Sequence, residues 1–484
     1  MKERTRFAPS PTGMLHIGGL RTALYAFYLA RQTGGSFVLR IEDTDQARSV
    51  EGGIENIVKT LHRVGADPDE GFSYVDGELI ERGDLGPYQQ SKRLDLYRKY
   101  ALKLVDDGNA YYCFCSRERL DEIRKAQQKA KQQPKYDRHC CDLEKDDVEQ
   151  KLASDTPYVI RMKVPEGKSK IQDMIRGEVV IDHSEVDDQV ILKSDGFPTY
   201  HLAVVVDDHF MEITTVIRGE EWLPSTPKHL ILFKMLGWDA PKFAHVPLLL
   251  NPDKSKLSKR QGDVAAESYL DRGYLPEAIV NFVSTLGYNP TADREIYEPD
   301  EFIDMFNLSK VKKSGAVVNF EKLDWMNKQY MMEMDTDELK NRLKPFLKGD
   351  EGDIDRIIEV EKSRQTTLVD LASSIAPFKE LQGYDAHILI WRKSDGETAV
   401  DMLKEAREYI DGLDRLDDVV LLEASVKQWI KEQGIQTGDV LWPLRVALSG
   451  SERSPSPFEY IYVIGKTETL YRIDSAINKL KGGS

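Results

Sequence analysis

The chain has 484 residues and a formal net charge of −15, and 40% of its residues are hydrophobic and 31% charged. This composition excludes a disordered or low-complexity chain, and apolar runs such as residues 202–206 are far shorter than the roughly 20 residues that cross a bilayer. At roughly 150 residues per domain the length indicates about three domains, and the acidic balance argues against nonspecific coating of DNA.

The first hundred residues alternate between strand and helix patterns. Residues 6–8 are a short extended segment, and the segment 9–13 that follows is a loop, since each of its prolines disfavours helix in the residue before it. Apolar residues then recur at helical spacing over 19–31, and 36–41 is a buried strand. A strand, a helix and a strand in about 40 residues predict the βαβ unit of a parallel sheet.

The region 96–194 differs from what precedes it, and we interpret it as an α+β insertion between strands of that sheet. It contains a basic, glutamine-rich helix pattern over 120–133 and all four cysteines. Three short β-like runs follow the cysteines, at 158–161, 178–181 and 189–192.

Beyond the insertion the sheet pattern resumes and then gives way to helices. Strands are predicted at 203–206 and 213–217, a helix at 226–236, and an extended segment at 243–250. After that the chain is mostly helical, with apolar residues at helical spacing over 278–286. Amphipathic helices are predicted in the last third of the chain, at 337–347, 353–374, 397–411 and 422–433.

Glycines stand where the first strand passes into the first helix, in the segment 9–19. A helix N-terminus offers free N–H groups and a partial positive charge at that point. His16 could donate to a phosphate oxygen, and Gly18 and Gly19 leave room for a flat ring on the backbone. Taken alone, however, His-x-Gly-Gly is also the pattern of an ordinary glycine-containing turn with a surface histidine.

Two further charged segments are candidates for chemistry. Residues 256–260, Lys-Leu-Ser-Lys-Arg, could clamp a triphosphate with their ammonium groups, or could form an ordinary solvated basic loop. Residues 40–45 come where the second strand ends, which is the edge at which open α/β sheets bind ligands. Their three carboxylates could receive an ammonium group, a metal or ribose hydroxyls, or could simply cap a helix.

The His-x-Gly-Gly motif at 16–19 and the Lys-Leu-Ser-Lys-Arg motif at 256–260 together resemble the two signatures of class I aminoacyl-tRNA synthetases. Longer segments resemble glutamyl-tRNA synthetases specifically, closely over the first 330 residues and loosely in the helical tail. The glutaminyl enzymes carry Pro-Glu-Pro-Asn-Gly where this chain has Pro-Ser-Pro-Thr-Gly, and they end in β-barrels. The segments that carry the resemblance are 6–13, 39–45, 197–203, 216–222 and 256–260.

The resemblance implies a Rossmann-like α/β catalytic domain with an α+β insertion, followed by an all-α anticodon-binding region. The catalytic domain is expected at 1–95 and 195–240, and the inserted acceptor-binding domain at 96–194. A stem-contact domain with the Lys-Leu-Ser-Lys-Arg loop is expected at 241–335. The helical anticodon-binding region is expected at 336–484, as two subdomains that divide near 390.

The resemblance also implies an ATP- and Mg²⁺-dependent ligase of translation. In this family the α-carboxylate of L-glutamate attacks the α-phosphorus of ATP, which yields glutamyl-adenylate and pyrophosphate. The glutamyl group then passes to the 3′-terminal ribose of tRNA(Glu). Charge gathers on phosphate oxygens, so catalysis is expected from positioning and cations, without a covalent enzyme intermediate. Charging of tRNA(Gln) as well is left open by the sequence.

Site residues follow from the same resemblance. His16, Lys256 and Lys259 are implied as catalytic residues that meet the phosphates, and Asp45 as a contact of the tRNA acceptor end. Glutamate carries two carboxylates and one ammonium group, so its site needs two cationic anchors, Arg6 and Arg218, and one anionic anchor. Without the motifs, structural ion pairs would be the preferred interpretation of both arginines. The implied ATP site is His16, Gly18, Gly19, Glu221, Ser258 and Lys259. The implied glutamate site is Arg6, Ala8, Ser10, Glu42, Tyr200 and Arg218.

The four cysteines lie within 29 residues of one another, which indicates a shared role. Some members of the family bind zinc with Cys-x-Cys and, further along the chain, Cys-x-Cys or Cys-x-His. This chain has Asp142 at the fourth position, so a degenerate empty site is as open as a zinc site. The expected zinc ligands are Cys113, Cys115, Cys140 and Cys141, with His139, Tyr136 and Asp142 as alternatives for the fourth.

Three other functions share part of this pattern. A relative that glutamylates a queuosine base in tRNA would lack the anticodon-binding tail, and a small-molecule nucleotidyltransferase would need neither the tail nor the glutamate anchors. Retention of His16, Lys256 and Lys259 disfavours a relative that binds tRNA without chemistry. We expect a monomer without membrane association. A reducing cytoplasm is expected because no apolar export signal follows the start and four cysteines are too few to crosslink this fold.

Overall fold

A computed structural model of the protein describes residues 2–257, 265–349, 352–392 and 394–482. The chain divides into two compact units, one spanning Met1–Asp271 with Pro276–Leu323 and the other Arg272–Leu275 with Asp324–Ser484. Within the described ranges, no helix has both the length and the apolar character needed to cross a membrane.

The strands all lie in the first unit and form three sheets of eight, three and two strands within the described residues. In chain order the strands are β1 (Arg4–Phe7), β2 (Ser36–Leu39), β3 (Glu70–Val75), β4 (Glu78–Arg82), β5 (Ala110–Cys113), β6 (Val159–Met162), β7 (Lys168–Asp173), β8 (Gly177–Asp182), β9 (Val190–Leu192), β10 (Thr215–Gly219), β11 (Lys242–Val246), β12 (Leu249–Leu250) and β13 (Ala316–Val317).

Helices surround the sheets of the first unit and make up the second. Those that begin in the first unit are α1 (Ile17–Gln32), α2 (Gly53–Arg63), α3 (Leu94–Asp106), α4 (Arg117–Lys129), α5 (Lys145–Ala153), α6 (Tyr200–Phe210), α7 (Thr226–Leu236), α8 (Ala266–Asp271), α9 (Pro276–Ser284), α10 (Pro299–Met305) and α11 (Phe320–Glu333). Those of the second unit are α12 (Thr336–Leu343), α13 (Asp355–Glu361), α14 (Leu368–Lys379), α15 (Gly396–Asp411), α16 (Val419–Glu432), α17 (Thr437–Ser449) and α18 (Pro457–Gly482).

The eight-stranded sheet has the strand order β4-β3-β2-β1-β10-β11-β7-β8. Its central strands β3, β2, β1, β10 and β11 are parallel, and β4 and β8 run antiparallel at the two edges. Chain order reverses direction between β1 and β10, which makes their carboxyl ends the topological switch point of a Rossmann-like sheet. The predicted fold class, an α/β domain followed by an all-helical region, is confirmed.

The structure differs from the predicted limits of the insertion at 96–194. Only β5, β6 and β9 of that region form a sheet of their own. The other two strands, β7 and β8, extend the main sheet, because Asp173 at the end of β7 pairs with Phe243 of β11. β11 itself falls in the segment predicted as the stem-contact domain, although it is a strand of the main sheet. One consequence is that Asp173 lies near the switch point.

Two predicted elements are wrong. The segment 203–206 was expected as a strand but lies within α6, since a short, wholly buried apolar run fits a buried helix as well as a strand. The single helix expected at 353–374 is two helices, α13 and α14. The second begins afresh at Thr367, whose hydroxyl and backbone form a capping box with Asp370. The helix predicted at 226–236 is confirmed as α7, and the strand at 213–217 as β10.

The second unit has a buried arginine at its centre. Arg472 of α18 has no exposed surface and donates to the carbonyls of Pro377 (3.0 Å) and Phe378 (2.8 Å) near the end of α14. It also donates to the carbonyl of Leu448 (2.6 Å) near the end of α17, and its Nε pairs with Glu468 (2.7 Å). The last carbonyls of a helix have no partner within the helix, so this guanidinium satisfies the ends of two helices at once.

Replacing Arg472 tests that role. We expect Arg472→Met to lower the free energy of unfolding by about 3 kcal/mol, because it leaves buried carbonyls without donors. Urea unfolding of the full chain, followed by tryptophan fluorescence, measures the change. The matched control is Arg415→Met, since Arg415 lies in the same unit in an exposed pair with Asp417. Equal midpoints for the two variants would contradict the assignment.

Candidate functional site

A cavity of about 780 Å³ opens at the carboxyl ends of the parallel strands, where the strand order reverses. Open α/β sheets bind their ligands at this position. The cavity brings together every residue of the predicted catalytic, ATP, glutamate and acceptor-end sets that the structure describes. These residues are Arg6, Ala8, Ser10, His16, Gly18, Gly19, Glu42, Asp45, Tyr200, Arg218, Glu221 and Lys256.

The Lys-Leu-Ser-Lys-Arg segment is described only in part. Lys256 is exposed and lines the cavity, whereas Ser258 and Lys259, both predicted to meet ATP, lie outside the described residues. The described part is fixed beside the cavity, because the backbone N–H of Leu257 donates to the carbonyl of Leu249 over 3.0 Å. Both leucines line the cavity as well.

The proton position on His16 follows from its place at the start of α1. His16 is the N-cap residue of this helix, and its Nδ1 accepts a hydrogen bond from the N–H of Gly18 over 2.9 Å. Because Nδ1 is an acceptor, the proton of the neutral imidazole lies on Nε2. Nε2 is therefore a hydrogen-bond donor, which is what contact with a phosphate oxygen requires.

Gly18 and Gly19 keep the first turn of α1 uncovered. A Cβ added at Gly18 would lie 3.1 Å from Nδ1 of His16, and a Cβ at Gly19 would lie 3.0 Å from Cδ1 of Leu15. Each contact is tighter than an ordinary van der Waals contact, so the neighbouring side chain would have to move. The two glycines thus leave the backbone bare, as a flat ring lying on it would need.

The predicted glutamate-binding side chains that carry charge or a phenol lie at one end of the cavity. We call this its charged end, and it consists of Arg6, Glu42, Tyr200 and Arg218. Oδ1 of Asp208, on α6, accepts from Nε of Arg6 over 3.1 Å and from Nη1 of Arg40 over 2.7 Å. Nη2 of Arg40 donates to Oε1 of Glu42 over 2.9 Å. The carboxylate of Asp208 therefore positions the cationic anchor Arg6 directly and the anionic anchor Glu42 through Arg40.

These buried charges shift the pKa values of the carboxyl groups. Burial alone would raise the pKa of Asp208, but the charges of Arg6 and Arg40 outweigh burial and lower it. Burial raises the pKa of Glu42, and the charges of Arg40 and Arg6 offset this effect only in part. Asp208 is therefore a stably ionised partner, whereas the charge of Glu42 is less well compensated and favours an added cation.

Arg218 is held by neutral groups on the other wall of the charged end. Its five N–H donors have five acceptors, and among the described residues none of them is a carboxylate. The positive charge of this buried side chain is therefore not neutralised by a direct ion pair. The acceptors are Nε2 of His245 (3.0 Å), Oη of Tyr200 (3.0 Å), Nδ1 of His229 (3.1 Å), Oγ1 of Thr226 (2.8 Å) and the carbonyl of Trp222 (3.3 Å).

The charged end carries more positive than negative charge. Of the side chains that line it, Arg6 and Arg218 are cations and Glu42 is an anion. The ion pair of Arg40 with Asp208 is neutral as a whole, so the lining keeps an excess of one positive charge. A ligand with one net negative charge would balance it, whereas a neutral ligand would leave a guanidinium unpaired.

Asp207 extends this network away from the cavity. It is fully buried and pairs with Nε of Arg93 over 2.7 Å, and it also accepts from Gln90 (2.9 Å) and Tyr97 (2.8 Å). Burial raises its pKa, against the opposing effects of Arg40 and Arg93. This pair is neutral as a whole, so it supports α6 without changing the charge balance of the cavity.

The acidic segment 40–45 is divided by the structure. Asp43 faces a neighbouring loop, where its oxygens accept from Gln89 Nε2 (2.7 Å) and the N–H of Ser91 (2.8 Å). Asp45 lies at the cavity rim in an exposed ion pair with Arg48 (2.6 Å) and makes no side-chain cap bond. The three carboxylates therefore do not form one site, because each points to a different partner.

Three of the four cysteines converge in the inserted region. The ligand atoms of Cys113, Cys115 and Cys140 all lie within 4.8 Å of one another. The hydroxyl of Tyr136 lies 3.3 Å from the sulfur atoms of both Cys113 and Cys115 and accepts from the N–H of Cys140 (3.0 Å). The predicted fourth ligand, Cys141, is not part of this cluster, although it directly follows Cys140 in the turn at 138–141.

Sequence reasoning missed the residues that position the charged end. Asp208, His229 and His245 were not singled out, nor was Asp173, which bonds His245. A signal existed for Asp208, because it follows a fully apolar run closely and an aspartate that continues a buried element needs a charged partner. No such signal existed for Asp173, since its proximity depends on the pairing of β7 with β11.

Comparison with known proteins identifies both units. Residues 2–325 match the family model "tRNA synthetases class I (E and Q), catalytic domain", and residues 338–477 match "Anticodon binding domain". The chain is 44% identical to a glutamate–tRNA ligase of Prosthecochloris aestuarii, covering 99% of this chain and 98% of the relative. It is 42% identical to the glutamate–tRNA ligase of Clostridioides difficile, and the match covers 99% of this chain and 100% of the relative.

A solved structure agrees over the whole length. The glutamate tRNA ligase of Elizabethkingia meningosepticum, solved in complex with its amino acid, superposes with a TM-score of 0.87 at 37% identity. The match covers 99% of this chain and 100% of that chain.

The Asp208 network can be tested by one substitution. We expect Asp208→Asn to lower the free energy of unfolding by about 3 kcal/mol, because it leaves two buried guanidinium groups without an anionic partner. Urea unfolding of the full chain measures it. Asp271→Asn is the matched control, since Asp271 makes an exposed ion pair with Arg63. If both variants unfolded at the wild-type midpoint, Asp208 would not hold the charged end together.

Proposed function

The chain belongs to the glutamate–tRNA ligases, a family of class I aminoacyl-tRNA synthetases, and we propose that it activates L-glutamate with ATP and charges tRNA(Glu). The observation that carries this proposal is the joint position of His16 and the charged end in one cavity at the switch point. A volume of about 780 Å³ lies within the range of roughly 300–1,000 Å³ typical of small-molecule sites.

The second unit argues against the other functions considered from the sequence. Its match to an anticodon-binding domain favours a ligase over a relative that modifies a tRNA base, which would lack this tail. A nucleotidyltransferase for small molecules would require neither this unit nor the charged end. A protein that only binds tRNA would have no use for a donor histidine beside an amino-acid pocket.

In the first step, the chain positions glutamate and ATP for in-line attack and stabilises charge on the phosphates. The Nε2–H of His16 donates to a phosphate oxygen, and the ammonium groups of Lys256 and Lys259 add positive charge. The bare turn at Gly18 and Gly19 supports the adenosine. ATP brings Mg²⁺ as part of its substrate complex, held mainly by phosphates and water as is usual at nucleotide sites. Among the described residues that line the cavity, no three carboxylate or imidazole side chains lie close enough together to hold a metal ion by themselves.

Glutamate is oriented by the charged end. Arg6 uses Nε for Asp208 and Nη1 for the carbonyl of Ile217, and within the described residues Nη2 has no protein acceptor. Nη2 is therefore the donor that meets one substrate carboxylate. Arg218 donates to Oη of Tyr200, which leaves the phenol proton for the other carboxylate. Glu42 receives the ammonium group, whose charge offsets the effect of burial on its pKa.

In the second step, a hydroxyl of the 3′-terminal ribose of the tRNA attacks the carbonyl carbon of glutamyl-adenylate, which forms the ester and releases AMP and a proton. Asp45, at the rim of the cavity, is placed to contact the acceptor end, and the second unit reads the anticodon. We propose tRNA(Glu) as the acceptor, a monomeric enzyme and a cytoplasmic reaction. Charging of tRNA(Gln) depends on anticodon reading and is an outcome of the experiment below.

We also propose a zinc site in the inserted region, formed by Cys113, Cys115, Cys140 and the oxygen of Tyr136. Tetrahedral zinc with Zn–S bonds of about 2.3 Å separates its sulfur ligands by about 3.8 Å. The sulfurs of Cys115 and Cys140 are 3.5 Å apart, and the hydroxyl of Tyr136 lies 3.3 Å from the sulfur of Cys115, which supports it as the fourth ligand. Zinc would supply a structural crosslink to the segment that joins β5 to α5, with no part in the reaction.

Aminoacylation tests the proposed function directly. We expect purified enzyme to attach radiolabelled glutamate to tRNA(Glu) in the presence of ATP and Mg²⁺. A parallel assay with tRNA(Gln) separates a discriminating enzyme from one that charges both. Charging of neither tRNA would contradict the proposal and favour the nucleotidyltransferase or the binding-only alternative.

Metal analysis tests the zinc site. We expect about one zinc per chain by mass spectrometry in the wild type, and loss of the metal in Cys115→Ser. The matched control is Cys141→Ser, which should keep its zinc because Cys141 lies outside the cluster. Wild-type protein without zinc, or equal loss from both variants, would contradict this ligand set.

A further inference from the structure

The buried cation Arg218 depends on histidines for its position. It is 6% exposed, and two of its five acceptors are imidazole nitrogens, Nε2 of His245 at 3.0 Å and Nδ1 of His229 at 3.1 Å. An arginine can only donate, so each of these nitrogens must be unprotonated. Both imidazoles must therefore be neutral, each with its proton on the nitrogen that faces away from Arg218.

Asp173 determines which nitrogen of His245 carries the proton. Its Oδ2 lies 2.6 Å from Nδ1 of His245, and both side chains are fully buried at these atoms. A carboxylate accepts, so Nδ1 must be the donor and Nε2 is left as the acceptor for Arg218. Burial lowers the pKa of His245, and the hydrogen bond to Asp173 opposes this effect.

The other imidazole follows the same logic through a second histidine. With Nδ1 accepting from Arg218, His229 carries its proton on Nε2, which lies 3.1 Å from Nδ1 of His201. Burial lowers the pKa of His229 well below its usual value and lowers that of His201 to about 3, so both rings are neutral. The charge on this wall of the cavity therefore stays on Arg218.

We propose that Asp173 and His245 are positioning residues for glutamate selection, which act by fixing the one tautomer of His245 that can hold Arg218 in the charged end. This inference rests on the proposed function, because it takes Arg218 to serve the substrate glutamate. It also gives β7 a role in the active site, although that strand comes from the region predicted as an insertion.

The substitution Asp173→Asn reverses the hydrogen-bond pattern with almost no change of shape. Oδ1 of Asp173 accepts from the N–H groups of Ile175 (2.9 Å) and Arg176 (2.7 Å), so an asparagine keeps its oxygen there. Its amide N–H₂ then faces Nδ1 of His245, which must become the acceptor. The backbone N–H of His245 loses Oδ2 (3.1 Å) as an acceptor and keeps Oδ1 (3.4 Å). The proton of the imidazole moves to Nε2. Two donors, this N–H and the Nε–H of Arg218, then face each other, so the hydrogen bond between His245 and Arg218 is lost.

The kinetic test is aminoacylation of tRNA(Glu) by the full-length enzyme. For Asp173→Asn we expect the KM for glutamate to rise by about tenfold or more, with the KM for ATP changed by less than about threefold. The matched control is Asp188→Asn, another buried carboxylate of the same region that bonds Tyr111 and Arg138 and should leave the KM for glutamate unchanged.

A second variant separates a tautomer effect from a merely structural one. Glutamine at 245 offers an amide oxygen to Arg218 and has no tautomers, so His245→Gln should raise the KM for glutamate by less than about threefold. In that background Asp173→Asn should add less than about threefold. Two results would overturn the inference and leave the proposed function intact. One is an equal, full rise in the KM for glutamate when Asp173→Asn is made in the wild type and in His245→Gln. The other is no rise in either.

A spectroscopic measurement tests the tautomer even where Asp173→Asn fails to fold. In the wild type labelled with ¹⁵N-histidine, with His245→Gln identifying the signal, we expect His245 as the Nδ1–H tautomer. The Nε2–H tautomer would overturn the inference. Failure of the wild type to charge any tRNA with glutamate would overturn the proposed function and this inference with it.

Discussion

The active-site cavity depends on one buried carboxylate, that of Asp208. It accepts from Arg6 at the end of β1 and from Arg40 just beyond β2, while Asp208 itself lies on α6. Three segments far apart in sequence are thereby fixed at the switch point of the sheet. Arg40 in turn donates to Glu42 and fixes its orientation. The orientations of Arg6 and Glu42, the predicted cationic and anionic anchors for an amino acid, therefore both depend on Asp208.

The same network explains how the cavity can prefer glutamate. An excess of one positive charge, buried on two walls, matches a ligand with two carboxylates and one ammonium group. In the proposed complex, Arg6 offers Nη2 for direct contact, while Arg218 contributes its charge and polarises Tyr200. Because neutral groups hold Arg218, it forms no direct ion pair with a carboxylate among the described residues, and in that complex the substrate completes the charge balance of the cavity lining.

Much of the site was predictable because its residues lie in short motifs at strand ends. The donor nitrogen of His16 and the bare glycines follow from a strand-to-helix turn that local sequence specifies. The remainder depends on pairings that the chain does not encode locally. Asp173 comes near His245 only through strand pairing, and a five-residue apolar run could not distinguish the buried helix α6 from a strand.

The cysteine cluster also combines residues that the sequence pattern predicted with one that only the fold brings near. Spacing predicted Cys113, Cys115 and Cys140 together, and the structure places them together. The fourth position could not be derived from spacing, because Cys141 is not part of the cluster and the hydroxyl of Tyr136 lies beside it instead. Aromatic hydroxyls have no characteristic spacing as ligands, so the proposal of Tyr136 as the fourth ligand depends on the fold alone.

The most direct test of this account is amino-acid discrimination by the wild type. In tRNA-dependent pyrophosphate exchange with ATP, the ratio of kcat/KM for glutamate to that for glutamine measures what the second carboxylate contributes. We expect glutamate to be preferred by at least about a thousandfold, because glutamine leaves a buried guanidinium unpaired. A ratio below about tenfold would contradict the claim that the excess positive charge of the charged end selects the substrate.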